Sequence, residues 1–565
     1  MKKIVIIGGV AGGASAAARI RRLDEQAEII MLERSGYVSY ANCGLPYYIG
    51  GEIEDKSKLT LQTPQSFKNR FGIDVRVRHE AQEIDVQRKL VRVKNLETGE
   101  VEELPYDKLV LSPGARPSRP NLPGVEDEAV LTLRTVEDTF HIREFVERRA
   151  PKSAVVVGGG YIGLEMAENL IRLGVQVTIL EMAEHVLAPL DYDMACEVHA
   201  YLRSKGVGLM RRTTVTGFSR QGDRLFVSLQ DARPLPADLV ILATGVTPET
   251  TLAKEAGLEL GLRGAIVVDE HMRTSNEDIY AVGDAVQVRH FVSGAPVLLP
   301  LAGPANKQGR IAADNICGKD SRFEGSQGSS IVKIFDMTVA TTGLNETSAK
   351  AQGLPCDKVR LYSASHATYY PGATNMSIKV VFSPQDGKIL GAQIVGFEGV
   401  DKRIDVLATA IRAGMTDADL AELELSYAPP YSSAKDPVNM AGFVIGNVRD
   451  GLVRQVHWDE LLSLPKDAGV RLDVRRDDEY ARGHMEGALH IPLDELRSRL
   501  GELPKGKPFY VCCQSGLRSY IACRMLTQHG MECYNLSGGY RFFEMVTKDL
   551  AYDPTPCHPC GVPIG

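Results

Sequence analysis

Two apolar runs, each followed by a glycine cluster and a helical pattern, constrain this 565-residue chain more than anything else in it. The first is KIVII at 3–7, followed by Gly8-Gly9-Val10-Ala11-Gly12-Gly13, an alanine-rich stretch, and a second run from Glu28 to Leu32 that ends at Glu33. The second is AVVV, then Gly158-Gly159-Gly160-Tyr161-Ile162-Gly163, a helical stretch, and VTIL ending at Glu181. Continuous apolar strands belong to parallel sheets covered on both faces. The glycines let the backbone approach a pyrophosphate, which helix N–H groups and the positive end of the dipole attract. An acid at the end of the next strand accepts hydrogen bonds from a ribose. The second unit carries G-x-G-x-x-G intact, whereas Val10 holds the middle glycine's place in the first. Glu181 favours a free ribose 2′-hydroxyl and repels a 2′-phosphate, so the pattern predicts NADH in preference to NADPH.

Composition bounds the remainder. The length is a prior of about four domains. Lys+Arg 65 against Asp+Glu 72, net −7, argues against a nucleic-acid coat or a polybasic membrane binder. No segment supplies the run of about 18 apolar residues that a membrane span needs. Ten scattered cysteines are too few for a disulfide scaffold and point to a reducing, cytoplasmic setting in which reactive cysteines are catalytic. The N-terminus imitates a signal peptide, but the same residues open the motif completed at Glu33.

Two later segments complete an ordered set. Ala243-Thr244-Gly245-Val246-Thr247-Pro248 follows the strand pattern DLVIL, and Tyr280-Ala281-Val282-Gly283-Asp284-Ala285 ends another. Across about 1–445 the chain resembles the flavoprotein disulfide reductase family with two dinucleotide-binding domains. The resemblance implies FAD at the first unit. Its contacts would be Gly8, Gly9, Val10, Ala11, Gly12, Gly13, Glu33, Arg34, Ala81, Ser112, Gly114, Arg134, Gly283, Asp284, Pro300, Leu301 and Ala302. It implies NAD(H) at Gly158, Gly160, Tyr161, Ile162, Gly163, Glu181 and Gly245. After about 325, SSIVKIFDMTVATTGL and SIKVVFSPQDGKILGAQIVG read as antiparallel strands with a turn near Asp386-Gly387, followed by helical stretches to about 421. In the resembled family this region dimerises and closes the partner's active site, which implies a homodimer.

Ser39-Tyr40-Ala41-Asn42-Cys43-Gly44-Leu45-Pro46 falls where that family starts a helix against the flavin. Most members carry two cysteines there; here Cys43 stands alone. A lone thiol forms a sulfenic acid, a mixed disulfide or a persulfide. A helix N-terminus and a neighbouring flavin are expected to favour its thiolate. Peroxide- and oxygen-reducing relatives carry a histidine in the first glycine loop, whereas this chain has Ala11. GGVAGG and SYANCGLPYY resemble the coenzyme A disulfide reductase subfamily instead. Ser15, Arg19 and Arg22 fall at i, i+4 and i+7 on one helix stripe, and paired guanidiniums suit CoA phosphates. The resemblance adds Ser39 and Asn42 on the pantetheine, with Asn306, Lys307 and Lys435 from later in the chain, and it leaves Phe71 where a lysine is expected. Those later residues would come from this chain or from the partner subunit. The resemblance also implies that Tyr369 and Tyr427 protonate the departing thiolate, with Tyr370 and Tyr431 as competitors.

A further α/β unit begins near Val456. An apolar strand, FYV, precedes Cys513-Gln514-Ser515-Gly516-Leu517-Arg518, a loop whose backbone N–H groups are expected to converge on the Cys513 sulfur. With Asp473-Val474-Arg475 and Gly483-His484-Met485-Glu486-Gly487-Ala488, residues 456–548 resemble a rhodanese domain carrying sulfane sulfur on Cys513. Cys512 is expected to point the other way on the strand. Cys557-His558-Pro559-Cys560 is half a metal site at most, and no metal is expected.

The expected architecture is α/β with Rossmann-like FAD and NAD(H) domains (1–115 with 246–322, and 116–245), an α+β dimerisation domain (323–445), a linker (446–455), an α/β rhodanese domain (456–550) and a tail (551–565). The expected function is FAD- and NADH-dependent reduction of persulfide or polysulfide sulfur, including CoA persulfide, releasing hydrosulfide. The alternatives are CoA disulfide reduction as the main activity, NADH oxidation by oxygen, or a non-enzymatic sulfur carrier.

Overall fold

The computed structural model describes residues 2–552. The chain divides into two compact units. One is built from the chain through Glu184 with Gly206–Gly328, the other from His185–Lys205 with the chain from Ser329 onward.

The first unit contains two five-stranded parallel sheets of one plan. In the first, Lys3–Ile7 lies between Glu28–Glu33 and Lys108–Leu111, with Asp74–Val77 and Ile279–Ala281 outside them. In the second, Ser153–Val157 lies between Gln176–Leu180 and Leu239–Leu242, with Gly208–Met210 and Val130–Thr132 at the edges. The alternation of a strand explains the first sheet's burial. Ile4 and Ile6 pack with Ala16, Ala17 and Ile20 on one face, and Val5 and Ile7 pack with Leu109 and Ile279 on the other. Each of the isoleucine, leucine and valine side chains contributes about 1.5–3 kcal/mol when fully buried. Both glycine turns therefore fall at the C-terminal end of a central strand, where the sheet order reverses and ligands bind.

Steric demand explains the glycines. A Cβ on Gly8, at φ +99°, would lie 2.0 Å from the Ser112 carbonyl oxygen, and one on Gly13 would lie 1.9 Å from that of Gly8. The helix Ala11–Leu23 packs on Ala302–Ile316 so closely that a Cβ on Gly309 would come within 2.3 Å of the Gly12 oxygen. That approach brings Ser15 Oγ to 2.5 Å from Asn306 Oδ1.

The second unit holds a five-stranded antiparallel sheet, in the order Ser330–Ile334, Met337–Gly343, Ile389–Gly396, Asn375–Phe382, Asp357–Ala364. The turn expected at Asp386-Gly387 joins two of these strands, with Gly387 at φ +75°. Asp357–Ala364 and the helix Pro437–Arg449 had no counterpart in the sequence reading. The helix corrects the expected linker, because it runs through 446–449 with an Asp436 N-cap. Arg454–Val456 then already pairs with Tyr534–Leu536 in the last sheet. That parallel sheet has the order Arg454–Val456, Cys533–Leu536, Phe509–Cys512, Val470–Asp473, Leu489–His490. Val453 joins its apolar core. The Cys557–Cys560 pair lies outside the described residues.

Candidate active sites

The first glycine turn opens into a cavity of 1210 Å³ lined wholly by the first unit. Single small-ligand sites occupy about 300–1000 Å³, so there is room for a dinucleotide and a second ligand. Gly8, Val10, Ala11, Gly12, Glu33, Arg34, Ala81, Ser112, Gly114, Arg134, Gly283, Asp284, Pro300 and Ala302 line it, whereas Gly9, Gly13 and Leu301 do not. Gly9 acts through Glu33: its N–H donates to Oε2 at 2.9 Å, and the Ser35 N–H donates to Oε1 at 2.9 Å. A carboxylate has about four acceptor sites, so Glu33 retains capacity for ribose hydroxyls. Arg134 Nη2 lies 2.9 Å from Asp284 Oδ2 on the same wall. The residues thus fit FAD: a glycine turn that tolerates no Cβ at Gly8 or Gly13, a bracing acid, and a long cavity.

The second turn repeats the acid's geometry. Glu181 accepts from Gly159 N–H at 2.6 Å and from Ala183 N–H at 2.7 Å. Gly158 takes φ +111°, and Gly160 N-caps the helix Tyr161–Arg172. Gly163 packs against the Gly158 oxygen, where a Cβ would lie at 2.0 Å, and Gly245 takes φ +94°.

Cys43 is exposed on the cavity wall, in a short 3₁₀ turn (Asn42–Gly44) ahead of the helix Leu45–Ile49. Ser39, at φ +47°, holds the preceding backbone in the left-handed region, a strained setting for a residue with a side chain. The expected thiolate-favouring field is not what the protein alone supplies. Burial, then the Glu165 and Asp284 carboxylates, push the Cys43 thiol up, and Arg134 opposes them. Glu165 was missed in the sequence. It lies on the helix after the second glycine turn, and burial, aided by the nearby Glu168 carboxylate, raises it to about 7. Tyr47 Oη donates to Glu165 Oε1 at 3.3 Å.

The polar lining of the cavity differs in detail from the expected substrate set. Ser15, Arg19, Arg22, Ser39, Asn42 and Asn306 line it, but Lys307 and Lys435 do not. Arg19 is committed to Asp314 (Nε to Oδ1, 2.7 Å), and the pair is largely buried. Arg22 remains exposed, and the cavity adds two exposed arginines that the sequence did not single out, Arg70 and Arg310. Phe71, in the place of the expected lysine, lines the cavity too.

In the second unit Tyr369 and Tyr427, 58 residues apart, meet hydroxyl to hydroxyl at 2.8 Å. The two residues are 74% and 47% exposed, so the pair is accessible to a ligand. The hydrogen bond shared with Tyr427 raises the Tyr369 phenol.

Cys513 is fully buried at the end of Phe509–Cys512. Its Sγ accepts from the Gly516 N–H at 3.1 Å and the Ser519 hydroxyl at 3.3 Å, so the cradle is one amide and one hydroxyl rather than a ring of amides. Gly516 takes φ +102°, and Asn535 Nδ2 donates to its carbonyl at 3.1 Å. Arg475 Nη1 donates to Gln514 Oε1 at 3.3 Å, and Arg475 is itself locked to buried Asp473 at 2.6 Å. Arg518 turns from the loop to a two-pronged pair with Glu479, both contacts 2.7 Å, which holds that carboxyl down at about 2. Cys512 packs in a different apolar cluster from Cys513, as strand alternation requires.

Among the described residues, Cys196, His199 and Asp549 form the group whose spacing could suit a metal. The Val186 N–H donates to His199 Nε2, so Nδ1 carries the proton and faces Asp549 at 3.1 Å. Tyr192 and Arg203 also donate to Asp549, each at 2.9 Å. The carboxylate is thus a hydrogen-bonded tie between Tyr192–Ser204 and the last helix, Gly539–Leu550. No described helix is long and apolar enough to cross a membrane.

Residues 2–309 match the model of the pyridine nucleotide-disulphide oxidoreductases, 329–437 that of their dimerisation domain, and 457–545 that of the rhodanese-like domain. A coenzyme A disulfide reductase of Staphylococcus haemolyticus is 37% identical over 444 residues, covering 78% of this chain and 99% of that protein. The crystal structure of reduced Bacillus anthracis CoADR-RHD shares 48% identity and superposes with a TM-score of 0.95, over 97% of this chain and 98% of that one. An NAD-dependent persulfide reductase from A. fulgidus shares 43% identity with a TM-score of 0.90, over 96% and 99% of the two chains.

Proposed function

Since the chain belongs to the pyridine nucleotide-disulphide oxidoreductase family and carries a rhodanese-like domain, we propose that it is an NADH-dependent reductase of CoA persulfide and related sulfane sulfur, acting through Cys43. CoA disulfide is a second substrate of the same thiol. The observation that carries the reading is one continuous cavity. Its wall carries a glycine turn with its acid, exposed Arg22, Arg70 and Arg310, and a single cysteine.

Family membership implies FAD and a nicotinamide dinucleotide. Bound FAD would relay two electrons from the nicotinamide to sulfur. NADH in preference to NADPH is supported by Glu181, braced by two backbone amides where a 2′-phosphate would have to sit. In the proposed reaction, Cys43 thiolate attacks the carbon-bound sulfur of CoA–S–SH. A Cys43–S–S–CoA bond forms, the S–SH bond breaks, and hydrosulfide leaves. Two electrons and a proton then return Cys43 to the thiolate and release CoA–SH. The exposed arginines of the cavity wall hold the CoA phosphates through planar, charge-assisted hydrogen bonds. The Ser15–Asn306 pair flanks the same wall. Tyr369 and Tyr427 hold the proton for the departing thiolate. In a homodimer, which the dimerisation domain supports, they come from the second copy. The rhodanese domain delivers sulfane sulfur through Cys513. A cytoplasmic location accords with the scattered cysteines.

Cys43→Ser is expected to abolish NADH oxidation with every sulfur acceptor while retaining bound FAD. Cys513→Ser is expected to spare reduction of CoA disulfide and impair use of polysulfide. Full turnover of the Cys43 variant on CoA persulfide contradicts the mechanism.

A further inference from the structure

The loop that cradles Cys513 contains a guanidinium, Arg518, that does not serve the sulfur. Both its terminal nitrogens go to Glu479, Nη1 to Oε2 and Nη2 to Oε1, each at 2.7 Å. Glu479 is itself fixed. Its side chain is largely buried, and Oε2 also accepts from the Arg476 N–H at 3.1 Å, at the start of the helix Asp477–Ala481. The other two arginines bonded to the loop are committed as well. Arg475 is held by Asp473 and by the Gly483 carbonyl, at 2.6 and 2.7 Å. Arg541, whose N–H donates to the Gln514 carbonyl, lays its guanidinium over the Tyr362 ring, 4.7 Å from the centroid. The loop's other side chains, Gln514, Ser515 and Leu517, are uncharged. Leu517 and Ile521, one turn apart on the helix Leu517–Gln528, are 58% and 43% exposed and give the loop an apolar flank.

We propose that Glu479 determines the specificity of the Cys513 site: by holding Arg518 it leaves the described loop without a free guanidinium, so the site takes sulfane sulfur from organic persulfides, R–S–SH, and rejects thiosulfate. The inference rests on Cys513 being the sulfur carrier. In the transfer, Cys513–S⁻ attacks the outer sulfur of R–S–SH. A Cys513–S–S bond forms and the donor's S–S bond breaks. The proton of the transferred sulfur passes to the departing thiolate, so R–SH leaves and Cys513–S–S⁻ remains. The Gly516 N–H and the Ser519 hydroxyl, which already donate to Cys513 Sγ, suit a single negative sulfur. Attack on the outer sulfur of thiosulfate instead expels sulfite, a dianion whose oxygens call for a forked cationic donor. Glu479 occupies the fork that the loop carries. An organic persulfide also brings carbon to lie along Leu517 and Ile521.

The test uses the full-length holoprotein and reads thiocyanate formed from cyanide, a reaction that needs neither NADH nor Cys43. Glutathione persulfide and thiosulfate are compared at matched concentrations, with Cys513→Ser as the background. The wild type is expected to favour the persulfide by about a hundredfold or more. Glu479→Gln keeps an acceptor for the Arg476 N–H but removes the charge that holds Arg518. Its thiosulfate rate is expected to rise about tenfold, with the gain shrinking as salt is added. Adding Arg518→Leu to that variant is expected to abolish the gain. A wild type that uses thiosulfate as fast as the persulfide overturns the proposal, and that comparison needs no variant to fold. A Glu479→Gln protein that still transfers persulfide sulfur but has gained nothing with thiosulfate overturns it too. Neither donor exceeding the Cys513→Ser background overturns the carrier role of Cys513 itself, and this inference with it.

Discussion

Cys43 does not sit in the field that its place in the sequence suggests. The motif implied a thiolate-favouring site, yet the protein's own groups favour the thiol, with burial first and Glu165 next. Glu165 is itself raised to about 7, so its charge appears across neutrality. Glu165→Gln removes that charge, and Cys43 alkylation plotted against pH is expected to shift to lower pH, with the difference confined to pH values above about 6. An unchanged profile refutes the coupling. The tyrosine pair gives a second residue-scale prediction. Removing either hydroxyl breaks the 2.8 Å contact, so Tyr369→Phe and Tyr427→Phe should each lower kcat by about a hundredfold. The double variant should be no slower than either, because groups acting as a unit are not additive. Each of these residues had a different legibility. Cys43 and both tyrosines were readable from their motifs. Glu165 was not, because its raised value comes from burial, and the hydrogen bond that opposes it comes from Tyr47, 118 positions away. Helical spacing placed Arg19 on the cavity wall, whereas its carboxylate partner Asp314, 295 residues distant, was not legible.

At the scale of elements, the glycine turns, their strands and the Cys513 loop were legible because each is a local pattern with one steric solution. Pro437–Arg449 was not. Its last four residues fall in the expected linker, 446–455, and the helix packs against Asp417–Glu422, where a Cβ on Gly442 would already touch the Ala421 nitrogen. The strand Asp357–Ala364 hides its purpose similarly. Its Lys358 and Arg360 look like surface charges, yet both are buried in an ion cluster. At that cluster's centre is Lys379, with no exposed surface, 2.7 Å from Asp191, 3.1 Å from Asp193 and 3.0 Å from Glu346. Arg360 pairs with Asp193 and contacts His457 of the last domain at 3.0 Å. Lys379→Met leaves buried carboxylates uncompensated and is expected to cost on the order of 3–5 kcal/mol in chemical denaturation. Glu346, held down at about 2 by Lys379 and its neighbours, sets the sign with pH. Its stabilisation is complete above its ordinary value near 4.5 and is lost as pH falls from there toward 2. The variant should show a flatter acid limb than the wild type.

For the whole molecule, the family matches run in the order that the motifs do: oxidoreductase over 2–309, its dimerisation domain over 329–437 and the rhodanese-like domain over 457–545. A reductase and a sulfurtransferase in one chain make chemical sense if sulfane sulfur is the shared currency, with Cys513 receiving it and Cys43 reducing it. The most direct test is anaerobic NADH oxidation by the purified protein with CoA persulfide and with CoA disulfide at matched concentrations, quantifying sulfide throughout. The account predicts rapid oxidation with the persulfide and one sulfide released per NADH consumed. NADH oxidation confined to the disulfide, with no sulfide formed from the persulfide, contradicts it.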